Sequence, residues 1–194
     1  ADMDGLLSRL AVLERGEAQA RADAAIAALA GPAGDECYGE GVSLRAHSLQ
    51  SAALASAAGH SPELVGAALL HDAGWALGGV HEHSGAAFVG RRFGDTVARP
   101  IRLHVDAKRY LAAIEPDYLA TLSSASTETL AMQGGPMNTI EIGSFEGESG
   151  FANALALRRI DDQAKDPSTE TVPLEAYREL LIEIALNAVQ REAS

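Results

Sequence analysis

His71 and Asp72 stand side by side at the end of the apolar run Leu64 to Leu70. Imidazole and carboxylate together are the donor types that iron, manganese or zinc take up. Helical phase turns both inward: His71 follows Leu64 and Ala68 along one stripe, and Asp72 follows Val65 and Leu69 along the next. His47 lies three residues after Leu44 and seven before Leu54, and His104 shares a stripe with Val97, Ile101 and Lys108. Three histidines and an aspartate therefore aim at the core from three helices. One buried histidine is usually a hydrogen-bonded core residue, and one buried aspartate at a helix end is usually a cap. A carboxylate buried beside several imidazoles is costly unless a metal or counter-charge compensates, so the combination points to a metal site. Asp72 has two oxygens and could bridge two ions.

These groups need helices to hold them. Alanine and leucine dominate and β-branched alternation is almost absent, so the expected fold class is all-α. Residues 3–30 read as one or two Ala-rich helices, the first packing weakly, ended by Gly31-Pro32-Ala33-Gly34. A loop carrying Cys37-Tyr38-Gly39-Glu40-Gly41 leads into a helix at about 42–58. Ser61-Pro62 caps and opens a helix ending near His71. Gly74, Gly78 and Gly79 are read as the next loop. Helices follow at roughly 82–93 and 96–110, the second with an expected kink at Pro100, and Glu115-Pro116 starts a short one. The loop Gln133-Gly134-Gly135-Pro136-Met137 precedes helices near 149–163 and 174–192. No repeat or linker divides the chain, which reads as a single domain over 1–194: a helical extension (1–34), a site region (35–165) and a C-terminal helix (166–194).

Net charge is −12 with no block of Lys or Arg, which argues against a nucleic-acid partner. An anionic small substrate would meet long-range repulsion and need local cations, for which Lys108, Arg109, Arg158, Arg159 and Lys165 are the candidates. A single cysteine, Cys37, excludes an intramolecular disulfide and fits a reducing compartment. With no apolar run long enough to span a bilayer and no basic-then-apolar opening, a cytoplasmic protein is expected.

His47, the His71-Asp72 dyad and a distant aspartate resemble the HD superfamily. The distant aspartate falls in Arg158-Arg159-Ile160-Asp161-Asp162, where Asp161 is the match and Asp162 a rival that helical phase does not separate. His81 and His104, between the dyad and that aspartate, resemble the branch that holds a second ion. His81-Glu82 with Gly85-Ala86 fits that spacing better than His83, and His83 and His60 are read as surface residues. Two blocks narrow the resemblance: His104-Val105-Asp106-Ala107-Lys108-Arg109-Tyr110-Leu111, and Leu122 to Met137 with Ser126 and the Gln133 loop. Both are similar to the HD-domain di-iron oxygenases that cleave carbon–phosphorus bonds, the 2-amino-1-hydroxyethylphosphonate dioxygenase family, itself related to myo-inositol oxygenase. The similarity covers most of residues 37–185.

The resemblance implies an HD-type helical bundle binding two iron ions as an Fe(II)/Fe(III) pair. His47, His71, Asp72 and Asp161 would hold one, with Asp72 bridging to a second held by His81 and His104. Lys108, Ser126 and Gln133 would hold a phosphonate, and Lys108 lies one turn from His104 on the same face. A tyrosine and a glutamate three residues apart belong to the family's first loop. Glu40 matches the glutamate, but Cys37 falls at the tyrosine position and Tyr38 one residue late. Trp75 replaces a histidine found four residues after the dyad's first histidine. An indole face attracts a quaternary ammonium, so Tyr38, Trp75, Met132 and Glu40 form a conceivable cage for a trimethylammonium head. The expected reaction is O2-dependent C–P cleavage of 1-hydroxy-2-(trimethylammonio)ethylphosphonate or its 2-amino counterpart, giving glycine betaine or glycine with phosphate. The rivals are an HD-type phosphohydrolase using a metal-activated water and a non-enzymatic sensor. The oligomeric state is not legible.

Overall fold

The computed structural model describes residues 3–193, and among these every regular element is helical. Ten α-helices run in the order α1 (Met3–Ala30), α2 (Leu44–Ala57), α3 (Pro62–Leu70), α4 (Gly74–Leu77), α5 (His81–Phe93), α6 (Asp95–Ile114), α7 (Ser124–Met132), α8 (Thr139–Glu146), α9 (Phe151–Gln163) and α10 (Arg178–Glu192). Single 3-10 turns sit at Pro32–Asp35, Tyr118–Thr121 and Leu174–Tyr177.

Local chemistry explains most boundaries. Ser43, Ser61 and Ser123 each accept a backbone N–H three residues on, capping α2, α3 and α7. Asn138 and Glu141 cap α8 reciprocally. Helix α1 is one continuous helix, and only its second half packs. Ala18, Ala22, Ala25 and Leu29 form a fully buried stripe, whereas Leu6, Leu10 and Leu13 remain about half or more exposed. Helix α6 runs through Pro100 without interruption. The expected helix after Glu115-Pro116 is only the 3-10 turn at Tyr118–Thr121.

Helix pairs α2–α3 and α5–α6 pack closely, and α9 lies against α6, α2 and α3. Between them Leu64, Val65, Leu69, Leu70, Val89, Val97 and Ile101 are almost completely buried, each contributing about 2 kcal/mol by removal from water. A second apolar cluster joins Leu103, Tyr110 and Leu111 of α6 to Phe145 and Ala154. The Gln50 side-chain amide donates to the Asp166 carbonyl and its oxygen accepts the Asp166 N–H, tying the end of α9 to α2. Among the described residues no helix is long and apolar enough to cross a membrane.

Gly74 differs from its expected place in a loop. It opens the short turn α4, and a Cβ there would lie 1.9 Å from the His81 carbonyl oxygen. Only glycine lets α5 start this close to the dyad. Gly78 and Gly79 are loop residues with positive φ.

Candidate metal centre

Helices α2, α3, α5, α6 and α9 converge on one point, and two groups of donors meet there. His47, His71 and Asp161 form the first, and Asp72, His81 and His104 the second; within each group the donor atoms all lie within 4.8 Å of one another. Asp72 faces both. Its Oδ2 is 3.6 Å from Nε2 of His47 and of His71, and its Oδ1 is 3.6 Å from His81 Nε2 and 3.8 Å from His104 Nε2. The two aspartates that phase left undivided part company. Asp161 Oδ1 is 3.2 Å from His47 Nε2, whereas Asp162 turns away to accept hydrogen bonds from the Tyr118 hydroxyl and Arg158. His83 is exposed and His60 half-buried, and neither joins a group.

Each ring is locked by its other nitrogen. Nδ1 lies 2.9 Å from the Ala164 carbonyl in His47, 2.9 Å from the Ala68 carbonyl in His71 and 2.6 Å from the Ile101 carbonyl in His104. In His81 it faces the Glu82 carboxylate at 3.1 Å. Those oxygens only accept, so Nδ1 carries the hydrogen and Nε2 presents a bare lone pair. Yet the Nε2 atoms of His47 and His71 are 3.1 Å apart, and those of His81 and His104 are 3.3 Å apart. Lone pairs so placed, with carboxylate oxygens around them, repel unless a metal ion or a proton lies between them. The donor set therefore fits metal ions held by imidazole and carboxylate.

The electrostatics agree. Burial pushes the His104 imidazole down to about 3, with His81 acting the same way, so it is neutral and free to ligate. Burial works to raise Asp72, but the His71 and His81 imidazoles outweigh it and bring it down to about 2. Burial works to raise Asp161 as well, and the Arg158 guanidinium holds it well below the usual carboxylate range. Burial works to lower His71, but the Asp72 and Asp161 carboxylates draw a cation to this spot and raise it to about 9.

A cavity of about 70 Å³ opens above the donors and is lined by Asp72, His81, His104, Lys108, Ser126, Gln133, Glu40, Tyr38 and Trp75. His71 lies beneath it, fully buried. Lys108 Nζ donates to Thr129 Oγ1 at 2.9 Å and to the Ser126 carbonyl at 3.3 Å, with no carboxylate partner. Burial, followed by the Arg158 charge, pushes its ammonium down to about 8. The buried Gln133 Oε1 has no hydrogen-bond partner. Thr129, Arg158 and Lys165 also line the cavity. Arg158 and Lys165 stood out in the sequence only as cations, and Thr129 gave no signal because Ser and Thr crowd its helix.

Tyr38 and Gly39 have φ of 43° and 84°, and the Glu40 N–H donates to the Cys37 carbonyl, closing a turn with two left-handed residues. A tyrosine in that region is strained. Its ring stacks on Trp75 (5.2 Å between centroids), which stacks on His81 at 4.5 Å. Met132 is 78% exposed and lies outside the cavity lining, so it takes no part in the cage expected from the sequence.

No protein-family model matches the chain. It is 36% identical over 151 residues to the [1-hydroxy-2-(trimethylamino)ethyl]phosphonate dioxygenase (glycine-betaine-forming) of Leisingera caerulea, covering 71% of this chain and 77% of that protein. It is 38% identical over 157 residues to the hydroxymethylphosphonate dioxygenase of Gimesia maris, covering 74% and 78%. An uncharacterised protein of Acanthamoeba polyphaga mimivirus is 34% identical over 164 residues. With this extent of similarity and an all-α scaffold carrying a His/Asp donor set, the chain belongs to the phosphonate dioxygenase family.

Proposed function

We propose that this enzyme of the HD type oxidises the hydroxyl-bearing carbon of a 1-hydroxyalkylphosphonate with O2 and breaks its C–P bond. One substrate and one O2 give one carboxylic acid and one phosphate: the carbon loses hydrogen and phosphorus and gains oxygen, and phosphorus gains the other oxygen. The trimethylammonio substrate giving glycine betaine, the 2-amino substrate giving glycine, and hydroxymethylphosphonate are the members of this class to consider. The observation that carries the reading is the split carboxylate of Asp72, one oxygen toward His47 and His71 and the other toward His81 and His104.

In this reading His47, His71, Asp161 and Asp72 would hold one iron, and Asp72, His81 and His104 would hold a second. Bound there, an Fe(II)/Fe(III) pair would supply O2 activation and Lewis acidity. The protein's own part is recognition and shielding. Lys108 supplies an ammonium with no carboxylate partner among the described residues for the phosphonate, and Ser126, Thr129 and Gln133 surround it with polar groups. Arg158 fixes Asp161 through its Oδ2 at 2.6 Å, leaving Oδ1 toward His47. Tyr38 and Trp75 wall the cavity on the loop side, with the Tyr38 hydroxyl bonded to the Trp75 carbonyl.

The test is O2 uptake measured beside phosphate release on the three phosphonates, with iron counted on the same sample. Equal O2 and phosphate with two irons per chain is expected. Phosphate released without O2 would mean a hydrolase and overturn the proposal.

A further inference from the structure

Within the C–P oxygenase reading, we propose that Lys165 is a specificity-determining residue that selects a 1-hydroxyphosphonate without a cationic head, hydroxymethylphosphonate being the simplest.

A lysine stands where an ammonium head would need room and an anionic partner. Glu40 is the carboxylate on the loop side of the cavity beyond the metal donors, and Lys165 Nζ donates to its Oε1 at 2.7 Å. The Ser123 hydroxyl donates to the same oxygen at 3.0 Å. The side chains of Glu40 and Lys165 are only 21% and 15% exposed, so solvent screens the pair little. The same ammonium donates to Ser126 Oγ at 3.0 Å and lies 3.8 Å from Asp161 Oδ1. It therefore occupies the strip between the phosphonate side and Glu40, and it cancels the one charge there that could hold a second cation. A primary or quaternary ammonium would face a like charge across a poorly screened gap.

The aromatic wall gives no substitute. Trp75 is engaged by His81 and Tyr38, and Met132 stands outside.

The iron-loaded enzyme would be assayed for kcat/KM with hydroxymethylphosphonate, the 2-amino and the trimethylammonio substrate, and anaerobic calorimetry would read the binding of each. Hydroxymethylphosphonate should be preferred roughly tenfold or more, the scale of one mismatched group. Lys165→Met should shift the ratio toward the ammonium substrates in both turnover and binding, and Lys165→Arg should restore it. Glu40→Gln should weaken all three alike; a selective loss of the ammonium substrates would show Glu40 to be their partner and overturn the proposal. Equal or better use of an ammonium substrate by the unaltered enzyme would also overturn it while leaving the oxygenase reading intact. Phosphate from none of the three would overturn that reading instead.

Discussion

At the scale of single residues, Asp72 carries the largest consequence. Asp72→Asn keeps the size but replaces one oxygen by an amide that donates rather than accepts, so one of the two donor groups loses its carboxylate. Iron content should fall from two per chain toward one, with O2-coupled phosphate release reduced by about 100-fold or more. Arg158 acts one step away, as a positioning residue. It is buried, and it binds both Asp161 and Asp162 while the Tyr118 hydroxyl braces Asp162. Arg158→Met should weaken iron binding about 10- to 100-fold, read by metal titration, and should destabilise the fold by about 3–5 kcal/mol because the buried Asp161 loses its guanidinium partner. Lys108 supplies the pH dependence. Its ammonium titrates near 8, and the protonated form is the one that attracts a phosphonate. Thus kcat/KM should be level below that pH and fall as pH rises through it. Lys108→Arg, protonated throughout, should abolish that limb of the profile.

At the scale of elements, the start of α5 depends on the absence of a side chain at Gly74. Gly74→Ala would drive a methyl group into the His81 carbonyl, and the backbone of α5 must retreat from the dyad. A loss on the order of 1–3 kcal/mol is expected, seen as a lower Tm, together with selective loss of the ion on the His81 side. The sequence hid this requirement because a glycine after a helix end usually marks a loop. Other features were open to view. The stripes carrying His47, His71 and His104 follow from helical phase, and Ser61-Pro62 announces the start of α3. Asp161 and Asp162 could not be told apart, since adjacent positions on α9 both lie near Arg158, and only the packing of α9 on α2 and α3 decides which one meets His47. Helix α7 was illegible for another reason. Ser124 to Thr129 has poor helix formers and no apolar stripe, and the Ser123 cap and its neighbours hold it instead. Helix α8 has no place among the expected helices, although Asn138 followed three residues on by Glu141 is a capping-box pattern, which periodicity alone overlooks.

At the scale of the whole molecule, the donors join parts of the chain far apart in sequence. His47 and Asp161 are far apart in the chain, and α2, α3, α5, α6 and α9 each bring a donor to this point. Metal ions would therefore tie the bundle together as well as serve chemistry. Without them, two pairs of imidazole nitrogens within 3.3 Å of each other must find protons or move apart, in a region with little water to help. An ion that binds only the folded chain, at 100 times its Kd, adds about 2.7 kcal/mol per site. For a chain of this length each kcal/mol moves Tm by about 2–4 °C. Stripping the metal under anaerobic conditions should thus lower Tm by roughly 10 °C or more, and returning Fe(II) should restore it. The His47→Ala chain, already lacking one donor, should lose less on chelation than the unaltered protein. If chelation leaves Tm unchanged in both, the five helices hold the donors in place by packing alone, and the centre contributes nothing to stability.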